Sequence, residues 1–314
     1  MQPDRRDLSK TVQAMAIARA YFCGGMTKSE VATKFGVSRF KVSRIIEKSL
    51  DDGLVEIVFH YPSDLIDYDL SSRLQAKFGL RHALVVFDGN NDDDTVLVPL
   101  GHATAMLLSE IVEPDDVLGF AWTRTLEVLT SYLKPLQAKL VVQLGGAFHG
   151  AASRRTSSEI LRDVARSVKG EACLFYAPLV ASDPVAAQAF LRQDDVRAAR
   201  ERYSMVSKAL VTIGAWAADQ SSVWAAVSPE MRSAGLDAGA VAEICGICFD
   251  RQGTPIRMAL DDLTIGIDAA ALKAIPEVIG VAFGSFKAQA VRAAIMGGVV
   301  TSLISHSSLV RELL

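Results

Sequence analysis

Hydrophobic residues follow two different patterns along this chain of 314 residues. Up to residue 51 they recur at intervals of three and four, the spacing of helices that bury one face. From Arg81 onward, short runs rich in Val, Ile and Leu alternate with longer helical stretches. Continuous apolar strands separated by helices are typical of a mostly parallel sheet covered on both faces. The pattern predicts a small all-α domain followed by a large, Rossmann-like α/β domain.

Residues 26–51 are predicted to form a helix-turn-helix. A short helix is expected over residues 29–35, and Gly36 can adopt the left-handed conformation that ends it. Ser38 can then cap a second helix by accepting a hydrogen bond from a free backbone N–H. Val42, Ile45 and Ile46 share the face of that helix that docks on its neighbours.

The opposite face of the second helix is basic and suits the major groove of DNA. Between residues 26 and 48 there are six Lys and Arg against two Glu, whereas the whole chain has a net charge of −3. Arginine can pair with guanine, serine with a base or phosphate, and phenylalanine with a thymine methyl group. The alternative is a solvated helix pair in an ordinary helical domain. The residues predicted to contact DNA are Thr27, Ser38, Arg39, Phe40, Lys41, Ser43, Arg44 and Lys48.

Composition narrows the class of protein mainly by exclusion. Residues 1–10 are polar, without the apolar core of a signal peptide, and no apolar run reaches the roughly 18 to 20 residues of a membrane span. We therefore expect a cytoplasmic protein that makes no membrane contact. Cys245 and Cys248 are expected to be buried strand residues rather than a zinc or redox pair, and the five histidines lack metal-ligand spacing. No metal and no cofactor are predicted.

The domain boundary is predicted near a break in both patterns. Residues 8–24 should form an Ala-rich helix that packs behind the helix-turn-helix, and residues 54–62 a short β-rich segment such as a wing. Ser63 or Asp64 is expected to open an amphipathic helix, with a linker at about 55–64. The predicted domains are 1–57 and 58–314.

Small and polar residues cluster where four predicted strands end, and ligands of parallel sheets bind at that edge. Each cluster also has an ordinary interpretation: a helix cap, a tight turn or a surface charge. Lys287 is the least ordinary, because a cation in the first turn of a helix opposes the helix dipole unless an anion lies nearby. The clusters are residues 122–125, 143–146, 239–246 and 284–287.

Five segments, in the same order along the chain, resemble the signatures of the SorC-type family of transcriptional regulators. They are LGFAWTRTL, VVQLGG, YAPLVASDP, GAVAEICGICFDRQGTPI and the C-terminal stretch from VIGVAFGSFK to VRELL. The resemblance implies a winged helix-turn-helix followed by a ligand domain related to ribose-5-phosphate isomerases and glucosamine-phosphate deaminases. It also implies a carbohydrate or polyol operon, double-stranded operator DNA, and a homo-oligomer, either dimer or tetramer. The implied effector is a sugar, a sugar phosphate or a polyol.

Carried over by position, the resemblance also implies an effector pocket. Its residues would be Thr123, Arg124, Thr125, Gly145, Gly146, Glu243 and Lys287. The chain departs from the family where Thr123 and Ala242 replace glycines, residues 283–285 replace Ala-Gly-Gly, and His306 replaces an aspartate. These departures leave room for a less charged polyol or for an unusual effector.

Two other functions are weighed against the regulator. A sugar-phosphate isomerase-like enzyme could use Glu243 as base and Lys287 as electrophile, although an isomerase does not need a helix-turn-helix. A helix-turn-helix protein that no longer senses a carbohydrate is the other. The regulator is the preferred interpretation, with no catalytic residues.

Overall fold

The computed structural model describes residues 5–56, 65–88, 93–122, 124–147, 157–168 and 170–314. The chain divides into two compact units, Met1–His60 and Tyr61–Leu314, which are described separately. The boundary predicted at residue 57 and most of the predicted wing lie outside the described residues. The described part of that wing, residues 54–56, is not in a strand.

The described residues of the first unit form three helices, α1 (Arg5–Phe22), α2 (Lys28–Phe35) and α3 (Arg39–Asp51). Their ends follow from capping chemistry. Thr27 and Glu30 form a reciprocal capping box at the start of α2, and Gly36 ends that helix at φ 64°. Ser38 caps α3 by accepting a hydrogen bond from the Lys41 N–H at 3.2 Å. The predicted helix-turn-helix is therefore confirmed.

The core of the first unit is small and is shared by all three helices. Ile17 of α1, Val31 of α2, and Val42 and Ile46 of α3 are buried against one another. Ile45 is only partly buried at the edge of this cluster. This packing fixes which face of α3 turns inward, and it leaves the basic face exposed.

The second unit is an α/β fold. Its helices are α4 (Tyr68–Phe78), α5 (Asp93–Ile111), α6 (Arg124–Tyr132), α7 (Ser157–Ser167), α8 (Pro184–Leu191), α9 (Asp194–Glu201), α10 (Ser222–Ala226), α11 (Pro229–Asp237), α12 (Ala269–Ala274), α13 (Ala288–Met296) and α14 (Ser307–Leu313). Its strands are β1 (Ala83–Val86), β2 (Val117–Phe120), β3 (Leu140–Gln143), β4 (Glu171–Cys173), β5 (Lys208–Thr212), β6 (Gly214–Ala215), β7 (Ala242–Ile244), β8 (Ile247–Phe249), β9 (Pro255–Ile256), β10 (Glu277–Val281) and β11 (Ser302–His306).

Seven of these strands form one parallel sheet in the order β1-β11-β10-β5-β2-β3-β4. They coincide with the short apolar runs from Arg81 onward that the sequence predicts as strands, so the predicted fold class is confirmed. Because all strands point the same way, their carboxyl ends share one edge of the sheet. The register places His306 beside Val86 and Thr212 beside Val281 at that edge.

Each face of the large sheet has its own hydrophobic core, because successive side chains of a strand point to opposite faces. Leu210, Val281 and Ile304 pack on the face covered by α5, α6 and α7. We call this the α6 face. Val211 and Val278 pack on the other face with side chains of α4, α9, α13 and α14.

A second, antiparallel sheet has the order β6-β7-β8-β9. It corrects the prediction for Cys245 and Cys248, which was one strand carrying both residues. The segment is instead a hairpin whose turn is Cys245–Gly246, with φ 56° and 81°. Both cysteines are buried as expected, and burial raises the pKa of each thiol.

The helix predicted to open at Ser63 or Asp64 begins later in the structure. Asp67 caps α4 by accepting a hydrogen bond from the Leu70 N–H, and Ile66 forms an antiparallel bridge with Val86. The bridge to β1 at Ile66 therefore prevents α4 from beginning earlier. Within the described residues, no helix is long and apolar enough to cross a membrane.

Candidate functional site

The outward face of α3 carries the first candidate site. Arg39, Lys41, Arg44 and Lys48 are exposed, and Ser43 is half-buried. Phe40 is 90% exposed, which is unusual for a phenylalanine and costs solubility without adding to the core. An exposed aromatic ring among four cations matches the predicted DNA-contact surface, and the individual contacts stay predictions.

Thr27 and Ser38, also predicted to contact DNA, have structural roles as caps. The Thr27 hydroxyl lies 2.8 Å from Glu30 Oε2, and the Glu30 N–H donates to it at 3.3 Å. Ser38 caps α3 in the same manner. Both side chains begin a helix at its positive end, so they can also lie near phosphate groups. A role in DNA binding stays a prediction for both.

Two cations meet at one aromatic ring on the carboxyl edge of the sheet. The Arg124 guanidinium carbon lies 4.7 Å from the centre of the Phe283 ring, and the Lys287 ammonium lies 4.8 Å from it. Arg124 begins α6, whereas Phe283 and Lys287 follow β10. The fold thus brings together residues that the sequence places in two separate clusters.

The charge of Lys287 has a partner inside the protein. Lys287 is only 6% exposed, and its charge lowers the pKa of the buried Glu243 carboxyl. Burial has the larger effect, so the pKa of Glu243 is raised overall. The unfavourable position of Lys287 at the start of a helix is therefore explained by Glu243 and by two aromatic faces, Phe283 and Phe286. An anionic ligand is not required to explain it.

Glu243 is hydrogen-bonded to two segments around the antiparallel sheet. Its Oε1 accepts a hydrogen bond from the Ser221 hydroxyl at 3.0 Å, and its Oε2 accepts one from the Gly246 N–H at 3.1 Å. The carboxylate therefore orders the β7–β8 hairpin and the start of α10. It is a positioning group for Lys287, and its bonds within the protein compete with any ligand hydroxyl.

The remaining residues of the first cluster lie at the start of α6. Thr125 is fully buried in the first turn of that helix, directly after Arg124. Thr123, which was also assigned to the pocket, lies outside the described residues. The described part of this segment places a cation and a hydroxyl next to the carboxyl end of β2.

Gly145 and Gly146 serve close packing of the backbone. Gly145 forms an antiparallel bridge with Gly266, and the Gly146 N–H donates to the Ile265 carbonyl at 2.9 Å. A Cβ atom at Gly146 would lie 2.2 Å from the Pro178 carbonyl oxygen, so only glycine fits there. Contact of either glycine with a ligand stays a prediction.

Sequence reasoning gave His306 no role in the pocket and missed Asp88 altogether. His306 Nδ1 lies 2.8 Å from Asp88 Oδ2, and its Nε2 accepts a hydrogen bond from the Gly284 N–H at 2.8 Å. Burial alone raises the pKa of Asp88, but hydrogen bonds from Ser308 and His306 outweigh it and lower the pKa. This network fixes the turn that carries Lys287. Among the described residues, no group of three His, Cys, Asp or Glu could hold a metal ion.

Comparison with known proteins identifies the family of the large unit. Residues 65–314 match a family model described as "Putative sugar-binding domain". The sorbitol operon regulator of Klebsiella pneumoniae is 26% identical over 299 residues, spanning 92% of this chain and 93% of that protein. The deoxyribonucleoside regulator of Bacillus subtilis (strain 168) is 26% identical over 309 residues, 98% of each chain.

A solved structure extends the likeness to the whole fold. The crystal structure of full-length SorC, the sorbitol operon regulator of Klebsiella pneumoniae, matches with a TM-score of 0.73 at 23% identity and covers 99% of each chain. Fold, helix-turn-helix and relatives together define the class: a transcriptional regulator with a sugar-binding domain. The chain belongs to the sugar-binding domain family, and the resemblance to SorC-type regulators is confirmed.

Proposed function

We propose that this regulator binds operator DNA through α3, and that its affinity for that DNA changes when a sugar, a sugar phosphate or a polyol binds the large unit. The observation that carries the proposal is the convergence of Arg124, Lys287 and Glu243 at the carboxyl edge of the parallel sheet. Guanidinium and ammonium groups suit phosphate oxygens and sugar hydroxyls alike. Two relatives are named for a sorbitol operon and for a deoxyribonucleoside, which supports the same chemical class.

The DNA contacts of the proposal are made by the exposed face of α3. Arg44 would read a base, since its long guanidinium reaches guanine edges, and Phe40 would meet a thymine methyl group. Lys41, Lys48 and Arg39 would pair with phosphates and supply affinity that does not depend on sequence. Burial of the opposite face supports this assignment, because it directs these side chains outward.

The proposal includes no catalytic turnover. An isomerase would need a base free to take a proton from carbon. Both Glu243 oxygens accept hydrogen bonds within the protein, and Lys287 lies close enough to lower the pKa of that carboxyl. Both carboxyl oxygens are therefore engaged in holding the site in shape.

Assembly and coupling complete the proposal. A homodimer or homotetramer would set the spacing of two α3 helices on paired half-sites. An effector that binds two states of that assembly unequally shifts operator occupancy by the same coupling free energy. Such a protein acts where the chromosome lies, so the proposal includes a cytoplasmic location.

A screen of small molecules tests the proposed effector class. Thermal unfolding is followed with sorbitol, sorbitol 6-phosphate, glucose 6-phosphate, ribose 5-phosphate and 2-deoxyribose 5-phosphate. We expect at least one to raise the midpoint of unfolding, because a ligand that binds only the folded state stabilises it. Isomerisation of any of these sugar phosphates at enzyme-like rates would contradict the proposal that the protein is a regulator without catalytic activity.

A further inference from the structure

Thr212 is a polar residue at the carboxyl edge of the parallel sheet. From the sequence alone it is predicted only to be part of a strand. It is the last residue of β5, and it lies beside Val281 of β10 in the parallel register. Leu210 and Val281 point to the α6 face of the sheet. Because side chains alternate along a strand, Thr212 points to the same face as Leu210.

That face is where the two cations of the candidate site meet. Phe283, whose ring contacts Arg124 and Lys287, belongs to the core of the α6 face, and so does Leu126 in the first turns of α6. Thr212 therefore ends a strand between β2, which leads to Arg124, and β10, which leads to Lys287. Its side chain faces the region that those two segments enclose.

The hydroxyl of Thr212 makes no hydrogen bond in the part of the chain that the structure describes. Its Oγ1 atom is buried and has no hydrogen-bond partner among the described residues. Burying a hydroxyl without a partner disfavours folding, whereas valine has nearly the same shape and carries no such group. For stability alone, valine is the better residue at this position, so the threonine requires another explanation.

We propose that Thr212 is a specificity-determining residue that hydrogen-bonds a hydroxyl group of the effector. A threonine hydroxyl both donates and accepts, as a sugar or polyol hydroxyl does, and it carries no charge with which to select a phosphate. Arg124 and Lys287 attract the polar ligand, and Thr212 distinguishes a carbon that bears a hydroxyl from one that does not. This inference rests on the proposed function, and it narrows the effector to one with a hydroxyl near the end of β5.

Two substitutions separate a ligand contact from a structural role. Thr212→Val keeps the shape and removes the hydroxyl, whereas Thr212→Ser keeps the hydroxyl and removes a methyl group. Effector affinity is measured by calorimetry with the compound among the five above that most raises the unfolding midpoint of the wild type. Thermal unfolding without that compound is measured for all three proteins.

The two readouts are expected to move in opposite directions for Thr212→Val. Its unfolding midpoint without ligand should equal or exceed that of the wild type, because a buried unsatisfied group is removed. Its dissociation constant should rise about 10-fold, the size of one lost hydrogen bond. Thr212→Ser should bind within about 3-fold of the wild type despite a lower midpoint, since the lost methyl leaves a small cavity.

Failure of this inference is distinguishable from failure of the proposed function. If the wild type binds a compound and Thr212→Val binds it equally well, Thr212 is not a contact and the inference is overturned alone. If affinity and stability both fall in Thr212→Val, the role is structural and the inference is again overturned. If the wild type binds none of the five compounds, the proposed effector class is wrong, and the inference about Thr212 is overturned together with it.

Discussion

His306 Nδ1 and the Asp88 carboxylate lie 2.8 Å apart, where β11 and β1 end side by side. The other ring nitrogen, Nε2, accepts a hydrogen bond from the Gly284 N–H, which places the ring proton on Nδ1, toward Asp88. One imidazole thus ties the ends of three neighbouring strands, β1, β11 and β10. Since Lys287 follows Gly284 within one turn, the His306–Asp88 pair also fixes the segment that carries Lys287 at the carboxyl edge of the sheet.

Acid should release that network. The pKa of Asp88 is lower in the folded protein than its ordinary value of 3.8, because hydrogen bonds from Ser308 and His306 outweigh the effect of burial. The folded state therefore binds protons less readily than the unfolded state. The resulting stabilisation is fully present above pH 3.8 and is lost as the pH falls through the lower, folded-state value.

Urea unfolding of the wild type and Asp88→Asn at pH 5, 4 and 3 measures this contribution. All three tryptophans, Trp122, Trp216 and Trp224, lie in the second unit, so their fluorescence follows that unit alone. The difference in unfolding free energy between the two proteins should shrink as the pH falls. A difference that stays constant from pH 5 to pH 3 would show that Asp88 does not titrate with folding.

Lys287→Met should weaken effector binding and spare DNA binding. Methionine keeps the length of the side chain but removes the ammonium, so a charge-assisted contact worth about 1.5–3 kcal/mol is lost. Lys273→Met is the matched control, because Lys273 is an exposed lysine on α12. Calorimetry with the effector and anisotropy with operator DNA report the two activities. Equal effector affinity in both variants would remove Lys287 from the site.

Arg44→Ala should weaken operator binding by about 1–3 kcal/mol if Arg44 reads a base. Arg44 is exposed, so the helix should keep its stability. Arg251→Ala is the control with the same change in net charge, since Arg251 is exposed in the second unit. A duplex selected from random-sequence DNA by the wild-type protein serves as operator. Equal losses of operator affinity in the two variants would show that Arg44 contributes only through the net charge of the protein.

Two substitutions of Ser38 separate its capping role from a DNA contact. Ser38→Ala removes the acceptor of the Lys41 N–H, which should cost about 1 kcal/mol and speed hydrogen exchange at that amide about fivefold. Ser38→Asp keeps an acceptor at the positive end of α3 and should preserve slow exchange. Its carboxylate would repel phosphates, so operator affinity should fall more than in Ser38→Ala. Unchanged affinity in Ser38→Asp would place Ser38 away from the DNA backbone.

Local chemistry explains which parts of this fold the sequence reveals. Ser38 and Gly36 mark helix ends because each acts on backbone within four residues of itself. Inner strands of the parallel sheet such as β2 and β3 are apolar runs, since both of their faces are covered. Because parallel strands end at one edge, the sequence also predicts that Arg124 and Lys287 lie at the same edge of the sheet. The structure adds that both contact the Phe283 ring.

Contacts between distant or very short segments stay hidden in the sequence. Asp88 and His306 are separated by 218 positions, and neither stands in a recognisable motif. The hairpin strands β7 and β8 have three residues each, too few to show alternation, and Cys245 adopts a turn conformation that favours glycine or asparagine. Thr212 is an ordinary strand residue in the sequence. Only the structure shows that its buried hydroxyl has no hydrogen-bond partner among the described residues.

Control of operator binding by an effector is the central claim, and one titration tests it. Fluorescence anisotropy of the selected duplex is measured with wild-type protein, without and with a saturating amount of the compound that stabilises it. We predict that the compound changes the dissociation constant for DNA by about 5- to 150-fold, the usual range of allosteric coupling. Lys287→Met should bind the same duplex without that change. Equal affinity of the wild type for DNA with and without the bound compound would contradict the account.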